Sequence, residues 1–106
     1  GQIGSLLIGV HDERGLAYAG HVGTGFTQPV LAMLAARLEP LRRATSPFAT
    51  RIPAEHARFA VWAEPVLVVE VAFTEWTAAG RLRAPSYKGL RDDKDPGQVI
   101  REWVAG

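Results

Sequence analysis

Apolar and polar positions alternate from the start of the chain. Between Ile3 and Val10, Leu6, Ile8 and Val10 fall on one face and Ser5, Leu7 and Gly9 on the other, the period of a β-strand with one side toward a core. The polar run His11-Asp12-Glu13-Arg14-Gly15 predicts a turn, and Leu16 to Val22 returns as a second strand, so the chain opens on a hairpin. The period then changes. Thr27 is suited to cap a helix, Pro29 to sit in its first turn, and Leu31, Leu34, Leu38 and Leu41 recur at helical spacing until Pro40 stops the helix near Glu39. Residues 44–59 have no period and predict an extended crossing segment anchored by Phe48 and Ile52. From Phe59 the pattern is strand-like again, and Val66 to Trp76 is the strongest strand of all, with Leu67, Val69, Val71 and Phe73 on one face and Val66, Val68, Glu70 and Ala72 on the other. Thr77-Ala78-Ala79-Gly80 turns into a further strand at Arg81 to Ala84. Asp95-Pro96 predicts a short final helix that buries Val99, Ile100 and Trp103. Four or five strands in hairpin pairs with one interrupting helix predict a small all-β or α+β domain, closed or nearly closed as an antiparallel barrel.

Composition narrows the class without choosing within it. A chain of 106 residues with 47% apolar and 22% charged positions is expected to be one globular domain with a core of its own. Its longest apolar runs stop far short of the roughly 20 residues a membrane helix needs, and no signal-peptide pattern is present. No cysteine is present, so disulfides and thiolate metal sites are excluded. The chain begins at Gly1 and enters a strand almost at once, as expected of a piece of a longer polypeptide.

Charge adds one feature. The formal net charge is +1, yet five of the twelve Lys and Arg residues lie between Arg81 and Lys94, opposed only by Asp92 and Asp93. That segment carries +3 and the rest of the chain −2. A local positive field of this kind suits phosphate. Gly20 to Gly25 (GHVGTG) precedes the helix; its glycines serve either positive φ and close packing or an anion at the helix start. Glu70, among apolar neighbours, reads as an exposed strand residue or as the ion-pair partner of an Arg across the sheet. His11, His21 and His56 lack metal-ligand spacing, so no metal site is expected, and no motif supports Ser/His/Asp hydrolysis.

Several pieces gain meaning jointly: Tyr18 to Phe26 (YAGHVGTGF), Ser46-Pro47-Phe48, Trp62 with Pro65, Glu70-Val71-x-Phe73-x-Glu75-Trp76-Thr77, and Leu82-Arg83-x-Pro85-Ser86-x-Lys88-Gly89-Leu90-Arg91-x-Asp93-Lys94. In that order they resemble the C-terminal OB-fold domain of bacterial ATP-dependent DNA ligases of the non-homologous end-joining type (ligase D or ligase C), over about residues 3–103. Arg91-x-Asp93-Lys94 is similar to that family's C-terminal signature. Two positions depart from it: His21 stands where the family usually has Lys or Arg, and Ala84 where it often has His.

The resemblance implies a five-stranded Greek-key OB-fold barrel with one inserted helix and a short C-terminal helix, occupying residues 1–106. It implies that Arg91, Asp93 and Lys94 assist adenylylation of a lysine in a separate nucleotidyltransferase domain of the same polypeptide. Arg91 and Lys94 would hold the departing pyrophosphate, and Asp93 would orient one of them by a salt bridge or a turn hydrogen bond. It further implies DNA contacts by His21, Arg83 and Lys88 on nicked or broken duplex DNA. ATP and Mg2+ belong to the parent enzyme, with none bound by this domain alone, and the setting is the bacterial cytoplasm at the nucleoid, with no membrane partner. The adenylated lysine of a Lys-x-Asp-Gly motif is missing from these residues, so the chain by itself is expected to be inactive. Two other readings of the residues remain: a free-standing OB-fold that stacks single-stranded nucleic acid on Tyr18, Trp62, Trp76, Tyr87 and Trp103, and a protein-interaction domain, for which the small net charge argues.

Overall fold

The structure, a computed structural model, describes residues 4–100. Strand β1 (Leu6–Asp12) and strand β2 (Gly15–Val22) form the expected antiparallel hairpin. Its turn is closed by the Asp12 carboxylate, which accepts from the Arg14 backbone N–H at 2.8 Å. The ladder does not keep one register. Ile8 faces Gly20 but Gly9 faces Tyr18, so Ala19 is an extra residue in a β-bulge. Leu6 and Ile8 pack on the core as the alternation predicts, whereas Val10, beyond the bulge, is outside that cluster.

Helix α1 (Gln28–Leu38) starts where the sequence places it: the Thr27 hydroxyl accepts from the Val30 N–H at 3.3 Å, and Pro29 lies in the first turn. Of the leucine stripe, Leu34 is the fully buried member; it joins Val22 and Tyr87 as the centre of the core, with Phe26, Val30, Val69, Val71 and Leu90 around it. Pro40 ends the α-helix and leaves a 3-10 turn over Glu39–Leu41.

The crossing segment runs beside β2. Phe48 bridges to Leu16, Ala49 N–H donates to the Leu16 carbonyl, and the Tyr18 N–H donates to Thr50 Oγ1. Phe48 is its anchor, edge-on to both Tyr18 and Trp62. The segment is more ordered than its lack of period predicts, since it includes a one-turn helix, α2 (Ala54–Ala57). Strand β3 (Arg42–Arg43) pairs with β4 (Trp62–Ala63) on its two sides.

The long strand expected over Val66 to Trp76 is divided. Only β5 (Val69–Ala72) and β6 (Glu75–Trp76) are strands, and the Thr74 N–H and hydroxyl both turn to the Arg83 carbonyl between them. Its face assignment holds within β5, where Val69 and Val71 are half-buried and Glu70 and Ala72 exposed. Strand β7 (Leu82–Arg83) pairs with β6, and β8 (Ser86–Leu90) pairs with β5. Strand β8 lies in the basic segment, past Ala84, where the sequence predicts no strand; only Tyr87 of its five residues is fully buried, too little apolar pattern to reveal one. The final helix is a 3-10 turn over Pro96–Gln98, capped by Asp95, whose carboxylate accepts from the Gly97 N–H. Val99 is half-buried and its carbonyl accepts from the His11 N–H, but Ile100 is 59% exposed, against the expected burial, and Trp103 lies outside the described residues.

All four ladders are antiparallel, as expected. Among the described residues they are four separate pairs, β1–β2, β3–β4, β5–β8 and β6–β7, and not one continuous ladder closed into a barrel. Two-residue strands and two bulges interrupt the hydrogen bonding that closure requires.

Candidate functional site

Strand β8 is the axis of the site, and a bulge aims its one exposed residue. Glu70 faces Gly89 and Val71 faces Tyr87, so Lys88 is the unpaired residue between them. Gly89 takes φ +155°, as a bulge of this kind favours. Tyr87 is buried and stacked on Phe26 at 4.9 Å, which fixes the strand to the core and leaves Lys88 pointing out.

At the start of β8 three candidate segments meet. The Tyr87 N–H donates to the Thr24 carbonyl at 3.0 Å, and the Thr24 hydroxyl donates to the Pro85 carbonyl at 3.4 Å. Gly25, at φ +90°, lies so close that an added Cβ would stand 2.4 Å from the Tyr87 carbonyl oxygen. Gly20 likewise lies against the Leu82 backbone. The loop after His21, the β7 turn carrying Arg83, and the strand carrying Lys88 are therefore in backbone contact. Gly20 and Gly25 take positive φ and Gly25 packs closely, as the first of the two sequence readings has it, whereas a Cβ on Gly23 would meet no described atom within 4 Å.

The side chains differ in their freedom. His21 is exposed, but its ring lies 4.1 Å from that of His56. Arg83 Nε is 2.7 Å from Glu75 Oε1 across the β6–β7 ladder. Arg81, counted in the basic segment, is structural: its guanidinium donates to the Tyr18 carbonyl at 3.0 Å and covers the Tyr18 ring. Burial pushes the Tyr18 phenol up, against the opposing charge of Arg81. Lys88 and Lys94 make no ion pair among the described residues.

At the other end of β8, roughly 13 Å away at strand rise, stands the second set. The Arg91 N–H donates to the Val68 carbonyl at 2.8 Å, extending the ladder by one step. Its guanidinium then makes a two-pronged contact with Asp93, Nε to Oδ1 at 3.1 Å and Nη2 to Oδ2 at 3.2 Å, and Nη1 lies 3.7 Å from Glu70 Oε1. The hydrogen bonds from Arg91, ahead of a backbone N–H and the guanidinium charge, hold the Asp93 carboxyl below the usual carboxylate range. The same contact with Asp93 pushes Arg91 up. Asp92 faces away, 3.1 Å from Arg37 at the end of α1. A contact 55 residues apart leaves no local signal in the sequence. Glu70 is the cross-sheet ion-pair partner foreseen for it.

A family model described as the ATP dependent DNA ligase C terminal region matches residues 1–94. The chain belongs to that family. It is 47% identical over 100 residues to the multifunctional non-homologous end joining DNA repair protein LigD of Mycobacterium tuberculosis, and 40% identical over 107 residues to LigD of Pseudomonas aeruginosa. These alignments cover 94% and 98% of this chain but about 13% of each relative. The chain thus spans about an eighth of the length of these ligase relatives. The crystal structure of the ligase domain from M. tuberculosis LigD superposes with a TM-score of 0.91 at 46% identity, over 95% of this chain and 33% of that one. A mycobacterial DNA ligase D complexed with ATP and MES superposes with a TM-score of 0.87. The chain is accordingly a small β-rich domain that matches the C-terminal part of a ligase domain, and no helix among the described residues is long and apolar enough to cross a membrane.

Two details bear on the other readings. Tyr18 and Tyr87 are buried and Trp62 and Trp76 half-buried, so none of these four stacking candidates is an exposed ring; the exposed aromatics are Phe59 and Phe73. The described residues also form no group of three or more His, Asp or Glu that fits a metal ion.

Proposed function

We propose that this chain is the C-terminal OB-fold domain, a five-stranded Greek-key barrel, of an ATP-dependent DNA ligase acting in bacterial end joining. Its work is electrostatic. A lysine in the nucleotidyltransferase domain of the same polypeptide attacks the α-phosphate of ATP, and charge builds on the departing pyrophosphate. Arg91 and Lys94 face that pyrophosphate, hold it in line and stabilise the charge as it forms. Asp93 orients Arg91 through the two-pronged contact, the salt-bridge alternative of the two open from sequence. The domain then turns another face to nicked or broken duplex DNA, where Lys88, Arg83 and His21 contact phosphates without reading sequence. Mg2+ would belong to the parent enzyme and supply charge neutralisation there; the described residues form no group of three or more His, Asp or Glu to hold it.

One observation carries this reading. In a chain that superposes over 95% of its own length on part of a ligase domain, Arg91 is anchored to Val68, just before β5, by a backbone bond while Lys94, three residues on, is exposed and makes no ion pair among the described residues. The test is Lys94→Ala in a ligase where this domain is joined to its nucleotidyltransferase domain. Adenylylation should slow by about 10²- to 10³-fold, the range for one preorganised donor. Sealing of a nick that already carries 5′-adenylate should change far less, because no pyrophosphate leaves in that step. Equal losses in both assays would point to a DNA contact or to folding, and no loss in either to a solvated loop.

A further inference from the structure

Arg91 is held by acids from two parts of the chain. Asp93 takes Nε and Nη2, and Glu70, brought from β5 by the register that sets it opposite Gly89, stands against Nη1. All three guanidinium nitrogens therefore face a carboxylate oxygen, the arrangement with which this group takes the oxygens of a phosphate. The contacts are open to solvent, the Glu70 side chain being 57% exposed and that of Asp93 72%. Ion pairs of this kind are weak and readily exchanged.

We infer that Glu70 is a positioning residue which occupies the Nη1 side of the Arg91 guanidinium as an internal stand-in for phosphate and yields it to a polyphosphate anion, while Asp93 keeps its hold on Nε and Nη2. A singly charged anion competes poorly with a carboxylate already in place, whereas pyrophosphate brings several charges and more oxygens than the carboxylate it displaces. Glu70 thereby keeps Arg91 extended along β8 and neutralised until a ligand of sufficient charge arrives. This inference rests on the proposed role of Arg91 toward pyrophosphate.

The test uses this chain and inorganic pyrophosphate without metal, followed by the NMR signals of the Arg91 Nε–H and the side-chain carboxyl carbons. Glu70→Gln should tighten pyrophosphate binding about 2- to 5-fold, the range for losing one exposed ion pair. Arg91→Ala should weaken it, and in that background Glu70→Gln should give no gain, since the competition acts through Arg91. In the unsubstituted chain the Glu70 carboxyl signal should move on the same binding curve as the Arg91 Nε–H. A Glu70 signal indifferent to saturating pyrophosphate overturns the inference, as does a Glu70→Gln gain that survives in Arg91→Ala, which would reflect charge alone. If Arg91→Ala binds pyrophosphate as well as the unsubstituted chain, or if no form binds it, the proposed role of Arg91 is what fails.

Discussion

At the scale of single residues, a carboxylate two positions from a guanidinium proposed to bind phosphate would repel that ligand while organising the group that takes it. The geometry of Asp93 favours the second effect, because both oxygens are committed to Arg91. It has a consequence for pH. The Asp93 carboxyl lies below the ordinary aspartate range in the folded chain, so the stabilisation from its contact is present above that range and is lost as pH falls through the lowered folded value. A carboxyl-carbon NMR titration should show Asp93 keeping its charge after exposed aspartates have taken up protons. Arg91→Ala should return it toward them. A titration of Asp93 indistinguishable from that of an exposed aspartate would mean the contact does not persist in solution.

Between elements, the loop of residues 23–25 is wedged against the start of β8, and Gly25 makes that possible. A side chain there would meet the Tyr87 carbonyl at 2.4 Å and must also adopt φ +90°. The two nearest atoms are Tyr87 backbone and cannot swing aside. Gly25→Ala should therefore cost about 2–4 kcal/mol in urea unfolding, combining a left-handed residue with a backbone clash. Loss below about 0.5 kcal/mol would show that the loop can lift off β8. The same contact explains which parts of the fold were legible in sequence. The hairpin, the Thr27 cap, the leucine stripe and the Phe48 anchor follow from periods and caps within a few residues of one another. The division of Val66–Trp76 and the strand at Ser86–Leu90 do not, because both depend on partners elsewhere: Thr74 turns to Arg83, and Ser86–Leu90 is a strand by virtue of pairing with β5. The candidate site divides in the same way. Arg91, Asp93 and Lys94 were visible as a motif, and Glu70 as an ion-pair candidate, but which arginine it would meet depended on the β5–β8 register, and Arg37 was tied to Asp92 only by the fold.

For the whole molecule, charge arrangement matters more than charge total. The net charge is +1, and within the basic segment Arg81, Arg83 and Arg91 already have partners in the domain, leaving Lys88 and Lys94 without an ion pair among the described residues. Each phosphate neutralised releases condensed counterions, and the affinity for duplex DNA falls with salt in proportion to that number. If His21, Arg83 and Lys88 meet DNA, with Lys94 at most a fourth contact, about three or four phosphates are engaged. The slope of log affinity against log salt should then be shallow, roughly −2 to −4. Binding by this domain alone should be weak and should not discriminate between sequences. Lys88→Ala should reduce the slope by about 1, because Lys88 exchanges no internal partner for its phosphate. Arg83→Ala should reduce it by less, since Arg83 gives up Glu75 to reach DNA and the freed carboxylate opposes part of the gain. Fluorescence anisotropy with a labelled duplex between low and moderate salt measures both. Affinity for single strands that holds through high salt would reverse the conclusion, since it would require stacking surfaces that Tyr18 and Tyr87, buried as they are, do not offer.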